Sequence, residues 1–231
     1  MGLLDVIGPV MVGPSSSHTA GACRLALLAR RALLSPPTQA TLVLHGSFAK
    51  TAQGHGTDCA LAAGLLGYFP DDPRIPDALT LAAEAGLELN FTSKDLGDVH
   101  PNTVKFLLTS EHESLELTGS SLGGGMVRVF RVGPFEISFS GAYSTLLLRH
   151  SDQAGVIATV ARVLADDAVN IATLYCARHR RGGTAMMSLE LEQTPSQYVL
   201  DYLRQLSAIS WLRLLPDVMH DAPRPAPEDL A

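Results

Sequence analysis

Three histidines in this chain stand beside glycine or proline and small polar residues, settings in which an imidazole does chemistry rather than fill a core. His18 follows Gly13-Pro14-Ser15-Ser16-Ser17 and precedes Thr19, His55 lies in Gly54-His55-Gly56-Thr57-Asp58, and His100 opens His100-Pro101-Asn102-Thr103. A neutral imidazole exchanges protons near neutral pH, and the hydroxyls and amides around it can hold a polar substrate. The first run precedes a helical stretch over residues 20–34, which makes Ser17 or Ser16 its expected N-cap. Unpaired N–H groups and partial positive charge at a helix start suit a carboxylate or phosphate, so an anion-binding loop carrying a histidine is expected. Thr57 or Asp58 is expected to cap a second helix just after His55, repeating that logic.

Taken singly, each of these histidines also reads as a loop residue satisfied by backbone. Together with Ser15, Ser16, Ser17, Thr19, Asp58 and Asn102 they form a candidate site whose convergence depends on the fold. A hydrolase triad of Ser15 or Ser16 with His18 and Asp58 has the right residue types, but no nucleophile elbow of the Gly-x-Ser-x-Gly type is expected to support it. A three-histidine metal site lacks tight ligand spacing, so no metal ligand is assigned. His45, His112, His150, His179 and His220 read as structural or surface residues. Cys23, Cys59 and Cys176 are odd in number and far apart, which points to small buried apolar residues rather than disulfides or a Cys-x-x-Cys site.

The elements that must position these residues follow from the hydrophobic pattern. With 231 residues, 46% hydrophobic and 17% charged, the chain has the composition of a packed protein. A net charge of −6 without a basic run excludes nucleic acid as the main partner, and Arg178, Arg180 and Arg181 around His179 read as a hairpin tip. No cationic leader followed by a long apolar segment and no membrane-length apolar run is visible, so a cytoplasmic protein is expected.

Residues 40–45 read as a buried strand, Leu61, Leu65 and Tyr68 as one helix face, and residues 77–87 as a helix with Ala78, Leu79, Leu81 and Ala82 inward. Period-two patterns then predict strands over 87–91, 103–109, 113–118, 126–132 and 135–139. Gly119 to Gly125 has too much glycine for a regular element and is expected to be a flexible turn or a backbone approach to a ligand.

The pattern restarts near Gly141, with strands over 143–149, 170–178, 184–192 and 211–215 and a helix over 156–167. A second helix is capped by Thr194-Pro195, with Val199, Tyr202, Leu203 and Leu206 inward. The reading is an α/β (α+β) N-terminal domain over 1–140, a ferredoxin-like βαββαβ domain over 141–216 and a disordered tail over 217–231. Between the first strand and helix of the second domain, the loop Asp152, Gln153, Ala154, Gly155 is a candidate receiver of an amino-acid carboxylate; the alternative is a plain cap by Ser151 or Asp152.

In their order and separation, the three histidine motifs resemble the beta subunit of bacterial iron-sulfur-dependent L-serine dehydratases, over nearly the whole chain to about residue 216. Asp152-Gln153-Ala154-Gly155-Val156-Ile157 and Asn170-Ile171 match the pattern of an ACT domain. The resemblance implies an N-terminal domain similar to the allosteric substrate-binding domain of some phosphoglycerate dehydrogenases, followed by an ACT domain. It further implies an L-serine ammonia-lyase that eliminates water from L-serine to give pyruvate and ammonia. The resemblance also implies a 4Fe-4S cluster ligated by cysteines of the alpha subunit, with which the lack of such a cysteine set in this chain is consistent. His55 matches the histidine proposed to remove the α-proton, and Ser15 to Thr19 and His100-Pro101-Asn102 match segments lining the shared cleft. Pairing of two copies through ACT domains is expected by analogy. The competing reading is a regulatory amino-acid-binding module with no catalytic residue of its own.

Overall fold

The computed structural model describes residues 9–51 and 56–219. The N-terminal unit is a six-stranded sheet with helices on one face. Its strands are β1 (Gln39–Leu44), β2 (Glu88–Ser93), β3 (Thr103–Thr109), β4 (Ser114–Gly123), β5 (Met126–Val132) and β6 (Phe135–Phe139), in the order β2-β1-β3-β4-β5-β6. Only the β1–β2 pair is parallel, and the connection between those strands carries α2 (Gly46–Thr51), α3 (Thr57–Leu66) and α4 (Ala78–Glu84). Alternation puts Leu42, Val104, Phe106, Leu108, Leu117 and Val129 on the covered face, where they are buried beneath α1 (Ala22–Arg31) and α3. The first helical turns are not those the sequence predicts: Ser16–Gly21 forms a π-helix that runs into α1, and its N-cap is Ser15 rather than Ser16 or Ser17.

Of the stretch Gly119 to Gly125 expected to be irregular, Gly119 to Gly123 is the second half of β4, and the turn is confined to Gly124 and Gly125. A Cβ at Gly119 would meet Leu25 Cδ2 of α1 at 2.7 Å and the Arg128 carbonyl at 3.0 Å, and one at Gly21 would collide with the Ser121 side chain. Glycine here lets a helix lie directly on a strand, a packing demand with no sequence period. Gly64 does the same between α3 and α1, where a Cβ would collide with the Cys23 carbonyl and stand 2.6 Å from Ala26 Cβ. Leu79, expected inward, is exposed, because Ala78 and Ala82 alone carry the buried side of the short α4.

The second unit has the expected βαββαβ order: β7 (Ser144–Ser151), α5 (Val156–Asp166), β8 (Ile171–Arg178), β9 (Thr184–Leu191), α6 (Gln197–Gln205) and β10 (Ile209–Leu215), with sheet order β10-β7-β9-β8. Leu146, Leu148, Val160, Leu164, Met187, Leu189, Val199 and Leu203 pack between sheet and helices. Ile157 and Tyr202, which share the helical spacing of that core, are instead 45% and 41% exposed. Ser196 rather than Thr194 caps α6, accepting from Val199 N at 3.4 Å. The reverse face of this sheet sends Leu147, Met186 and Leu215 into the core of the first unit. Residues 217–219, assigned from sequence to a disordered tail, are packed there too: Val218 is buried and its N–H donates to the Gly141 carbonyl. The rest of that expected tail, residues 220–231, lies outside the described residues. Among the described residues no helix is long and apolar enough to cross a membrane.

An ion pair ties the units together. Arg213 of β10 donates to Glu113 Oε2 at 2.7 Å and to the Ala32 carbonyl at 3.2 Å, and Glu113 Oε1 accepts from the Leu34 N–H at 2.6 Å. Burial opposes the charge on Glu113, but hydrogen bonds from Arg213, the Leu34 amide and Trp211 outweigh it and hold the carboxyl below its ordinary value. A depressed carboxyl stabilises the fold above its unfolded pKa, about 4.3, and loses that contribution as pH falls through the folded value. The variant Glu113→Gln is therefore expected to lose about 1–2 kcal/mol at pH 7 in denaturant titrations, with the gap to the parent closing below about pH 4. Gly64→Ala, which must part α1 from α3, is expected to cost about 1–3 kcal/mol in the same measurement.

Candidate functional site

The site is built where the π-helix, the start of α2 and the loop before β3 meet. Ser15 Oγ accepts from the His18 backbone N–H at 3.3 Å, fixing the first turn. The His18 ring is then held at both nitrogens, with Nδ1 at 3.4 Å from Ser15 Oγ and Nε2 at 3.1 Å from Ser47 Oγ. The fully buried Phe48 stands edge-on to the imidazole at 5.4 Å. Ser47 and Phe48 begin α2, and the Ser47 N–H donates to the Pro101 carbonyl at 2.8 Å. Gly46 makes that docking possible, since its φ is +56° and a Cβ there would stand 2.6 Å from the same carbonyl.

The His100-Pro101-Asn102 loop is pinned from its other side. The Asn102 N–H donates to His100 Nδ1 at 3.2 Å, and the Asn102 carbonyl accepts from Ser121 N at 2.9 Å. Thr103 Oγ1 donates to the His100 carbonyl at 2.6 Å and lies 2.6 Å from Ser120 Oγ. His100 itself is exposed. Two of the three motifs are thus joined through Ser47, while Ser120 and Ser121 tie the His100 loop to β4. The string Gly119-Ser120-Ser121-Leu122-Gly123 has the spacing of a nucleophile elbow, but it lies within β4 with Ser121 buried, so it is not one.

Of the other candidates, Ser16 and Ser17 are half-buried on the π-helix, and Ser17 Oγ lies 4.0 Å from the space a Cβ at Gly123 would take. Thr19 is buried against Gly13. Thr19 Oγ1, Thr57 Oγ1 and Ser121 Oγ are buried hydroxyls without a hydrogen-bond partner among the described residues. The expected caps of α3 are not observed. Its N-cap is Gly56, in the left-handed region, and Asp58 Oδ1 instead accepts from the Cys59 N–H at 2.9 Å. His55, the residue that the family resemblance makes the base, lies outside the described residues.

The loop Asp152-Gln153-Ala154-Gly155 sits at the β7–α5 turn of the second unit. Its aspartate caps nothing: Asp152 Oδ2 accepts from Gly182 N at 2.9 Å and from Arg178 Nη1 at 3.4 Å, and Gly155 is the N-cap of α5. The Gly182 amide, with Arg178, holds the Asp152 carboxyl below the usual carboxylate range. Gln153, Ala154 and Gly155 are exposed. His150 beneath them is buried, with Nδ1 2.8 Å from the Ser151 carbonyl and Nε2 3.6 Å from Cys176 Sγ. Of the cysteines, Cys23 is buried, and Cys59 and Cys176 are half-buried.

Sequence reasoning missed Ser47, Phe48, Ser120 and Ser121. A Gly-Ser pair directly after a buried strand was the only local sign of Ser47, and the serines of β4 lay in a stretch too rich in glycine to read as a strand.

Comparison with known proteins agrees with this architecture. The family described as serine dehydratase beta chain matches residues 4–86, and that described as AHAS small subunit-like ACT domain matches residues 146–210. The probable L-serine dehydratase beta chain of Bacillus subtilis (strain 168) is 40% identical over 215 residues, covering 93% of this chain and 98% of its own. The L-serine dehydratase beta chain of Peptoniphilus asaccharolyticus is 42% identical over 82% of this chain and 86% of its own. A D-3-phosphoglycerate dehydrogenase of Bacillus subtilis (strain 168) is 22% identical over 83% of this chain but only 37% of its own. With the motif order, the two-unit fold and identity along nearly its full length, the chain belongs to the family of L-serine dehydratase beta chains.

Proposed function

We propose that this chain works as the beta component of an L-serine ammonia-lyase, completing an active site with an alpha subunit. The observation that carries this reading is the meeting of the Ser15 to Thr19 run with the His100-Pro101-Asn102 loop around the clamped His18 ring. The hydroxyls gathered around that ring suit a small zwitterion bearing a hydroxyl. In this role Ser15, Ser16, Ser17, Thr19, Asp58 and Asn102 bind L-serine, with His18 and His100 beside them. His55 takes the α-proton and passes it to the departing β-hydroxyl, which leaves as water. The enamine that remains tautomerises and hydrolyses to pyruvate and ammonia, so atoms and charge balance.

Among the described residues no group of three or more His, Cys, Asp or Glu side chains could hold a metal ion. The residues described here do not fit as ligands of an iron-sulfur cluster. In this reading the 4Fe-4S cluster is therefore the alpha subunit's, and no step assigned to this chain runs through it. The setting is cytoplasmic amino-acid catabolism.

A regulatory role for the second unit accompanies this reading, supported by the ACT-like match and the exposed loop over 152–155. Two copies pair through that unit. Its edge strand β8 hydrogen-bonds only to β9 within the sheet, and Leu174 and Tyr175 on that strand and Ile157 on α5 are 38%, 38% and 45% exposed.

Assembled with the alpha subunit, His55→Ala is expected to lower kcat by about a hundredfold or more with KM within a few fold. A change confined to affinity or cooperativity would favour the purely regulatory module instead. For pairing, sedimentation of the full chain is expected to show a dimer that Leu174→Lys with Ile157→Lys converts to a monomer; a dimer unaffected by both changes refutes this surface.

A further inference from the structure

Ser47 belongs to none of the motifs, yet it is the residue through which two of them touch. Its amide is bonded to Pro101 of the third motif, and its hydroxyl to the imidazole of the first. We propose that Ser47 is a positioning residue for the lyase reaction, its hydroxyl holding His18 as the Nε2–H tautomer with Nδ1 turned toward Ser15. This rests on the reading of His18 as part of the active site.

The tautomer rests on Ser47 and Ser15 together, the shorter of the two ring contacts being that to Ser47. The His18 main-chain N–H takes one of the two acceptor positions of Ser15 Oγ, and in the proposed arrangement the Ser15 O–H is given to Nδ1 at 3.4 Å. With Nδ1 accepting, the proton of the neutral ring sits on Nε2 and points at Ser47 Oγ, 3.1 Å away. Ser47 Oγ, accepting in turn, keeps its own proton for another acceptor. Phe48 stands edge-on beside the ring, so orientation and tautomer are set together.

The main chain of Ser47 is anchored independently of its hydroxyl. Its N–H is bonded to Pro101, its carbonyl accepts from Thr51 Oγ1 at 2.8 Å, and Gly46 before it takes up the tight approach. Removing the hydroxyl alone therefore frees the ring while leaving the start of α2 in place, which separates positioning from folding.

The test uses the full chain labelled with 15N-histidine, with His18 assigned by comparison with His18→Gln, and long-range proton–nitrogen spectra recorded near pH 8. The expected result is the Nε2–H tautomer in the parent, a mixture of tautomers in Ser47→Ala, and recovery in Ser47→Thr. Assembled with the alpha subunit, Ser47→Ala is expected to lower kcat about tenfold with KM within about twofold, and Ser47→Thr to restore it. A His18 tautomer unchanged in Ser47→Ala overturns the inference whatever the turnover. A changed tautomer with unchanged kcat leaves the hydrogen bond standing but removes both Ser47 and His18 from the reaction, a failure of the underlying site reading rather than of the geometry. Thermal unfolding within about 2 °C of the parent confirms that Ser47→Ala is folded.

Discussion

The absence of side chains at three glycines is the constraint on which this structure turns. At Gly21 and Gly119 the π-helix and α1 lie against β4 with no room for a Cβ, and at Gly64 α3 closes on α1 in the same way. That contact sets the height of the helix over the sheet, and with it the place of His18, three residues before Gly21. A wider helix–sheet gap would lift the ring away from Ser47 and Phe48, whose positions are set by β1 and the Pro101 loop rather than by α1. Close packing transmits such shifts instead of absorbing them, because interiors have few voids to take up a misfit.

The same helix ends at the second unit. Its last turns are bound by Arg213 at the Ala32 carbonyl, and Arg31 reaches the carbonyls of Pro216 and Asp217 at 3.2 and 2.8 Å. Arg24, nearer the start, donates to Gly125 at 2.7 Å and Met219 at 3.4 Å. Glu190 of β9 is buried and accepts from the Ser140 amide at 2.7 Å, so the junction between the units holds a carboxylate with its hydrogen bonds made. Leu147, Met186, Leu215 and Val218 supply the apolar part of this junction. One helix thus carries the candidate site at one end and bears the ACT-like unit at the other, which gives the second unit a material connection to His18.

The chemistry of the site comes from polar groups held by main chain. Ser15, Ser47, Thr103 and Asn102 each have a backbone or side-chain bond that fixes their place, while Thr19, Thr57 and Ser121 present buried hydroxyls with no partner among the described residues. Buried hydroxyls are ordinarily paired, by protein, water or ligand.

Local sequence was enough for everything that depends on short-range periodicity or turn chemistry. The strands over 103–109, 126–132 and 135–139, the βαββαβ order of the second unit, the inward sets Val104, Phe106 and Leu108 or Val160 and Leu164, and the three histidine motifs were all legible from alternation, helical spacing and punctuation by glycine and proline. Where two elements had to accommodate one another, local rules gave the wrong answer: the glycine-rich end of β4 answers to α1, distant in sequence, and helical spacing alone did not tell that Leu79, Ile157 and Tyr202 face outward. The bonds of Asp152 to the hairpin and of Ser47 to both His18 and Pro101 are of the same kind, long-range contacts with no local signature. Residue type and order by themselves determined which chemistry was available to this protein. The tertiary structure alone decided which of those residues meet, because a hydrogen bond spanning 29 residues between Ser47 and His18 is written in the packing of helix on sheet and not in any stretch of chain.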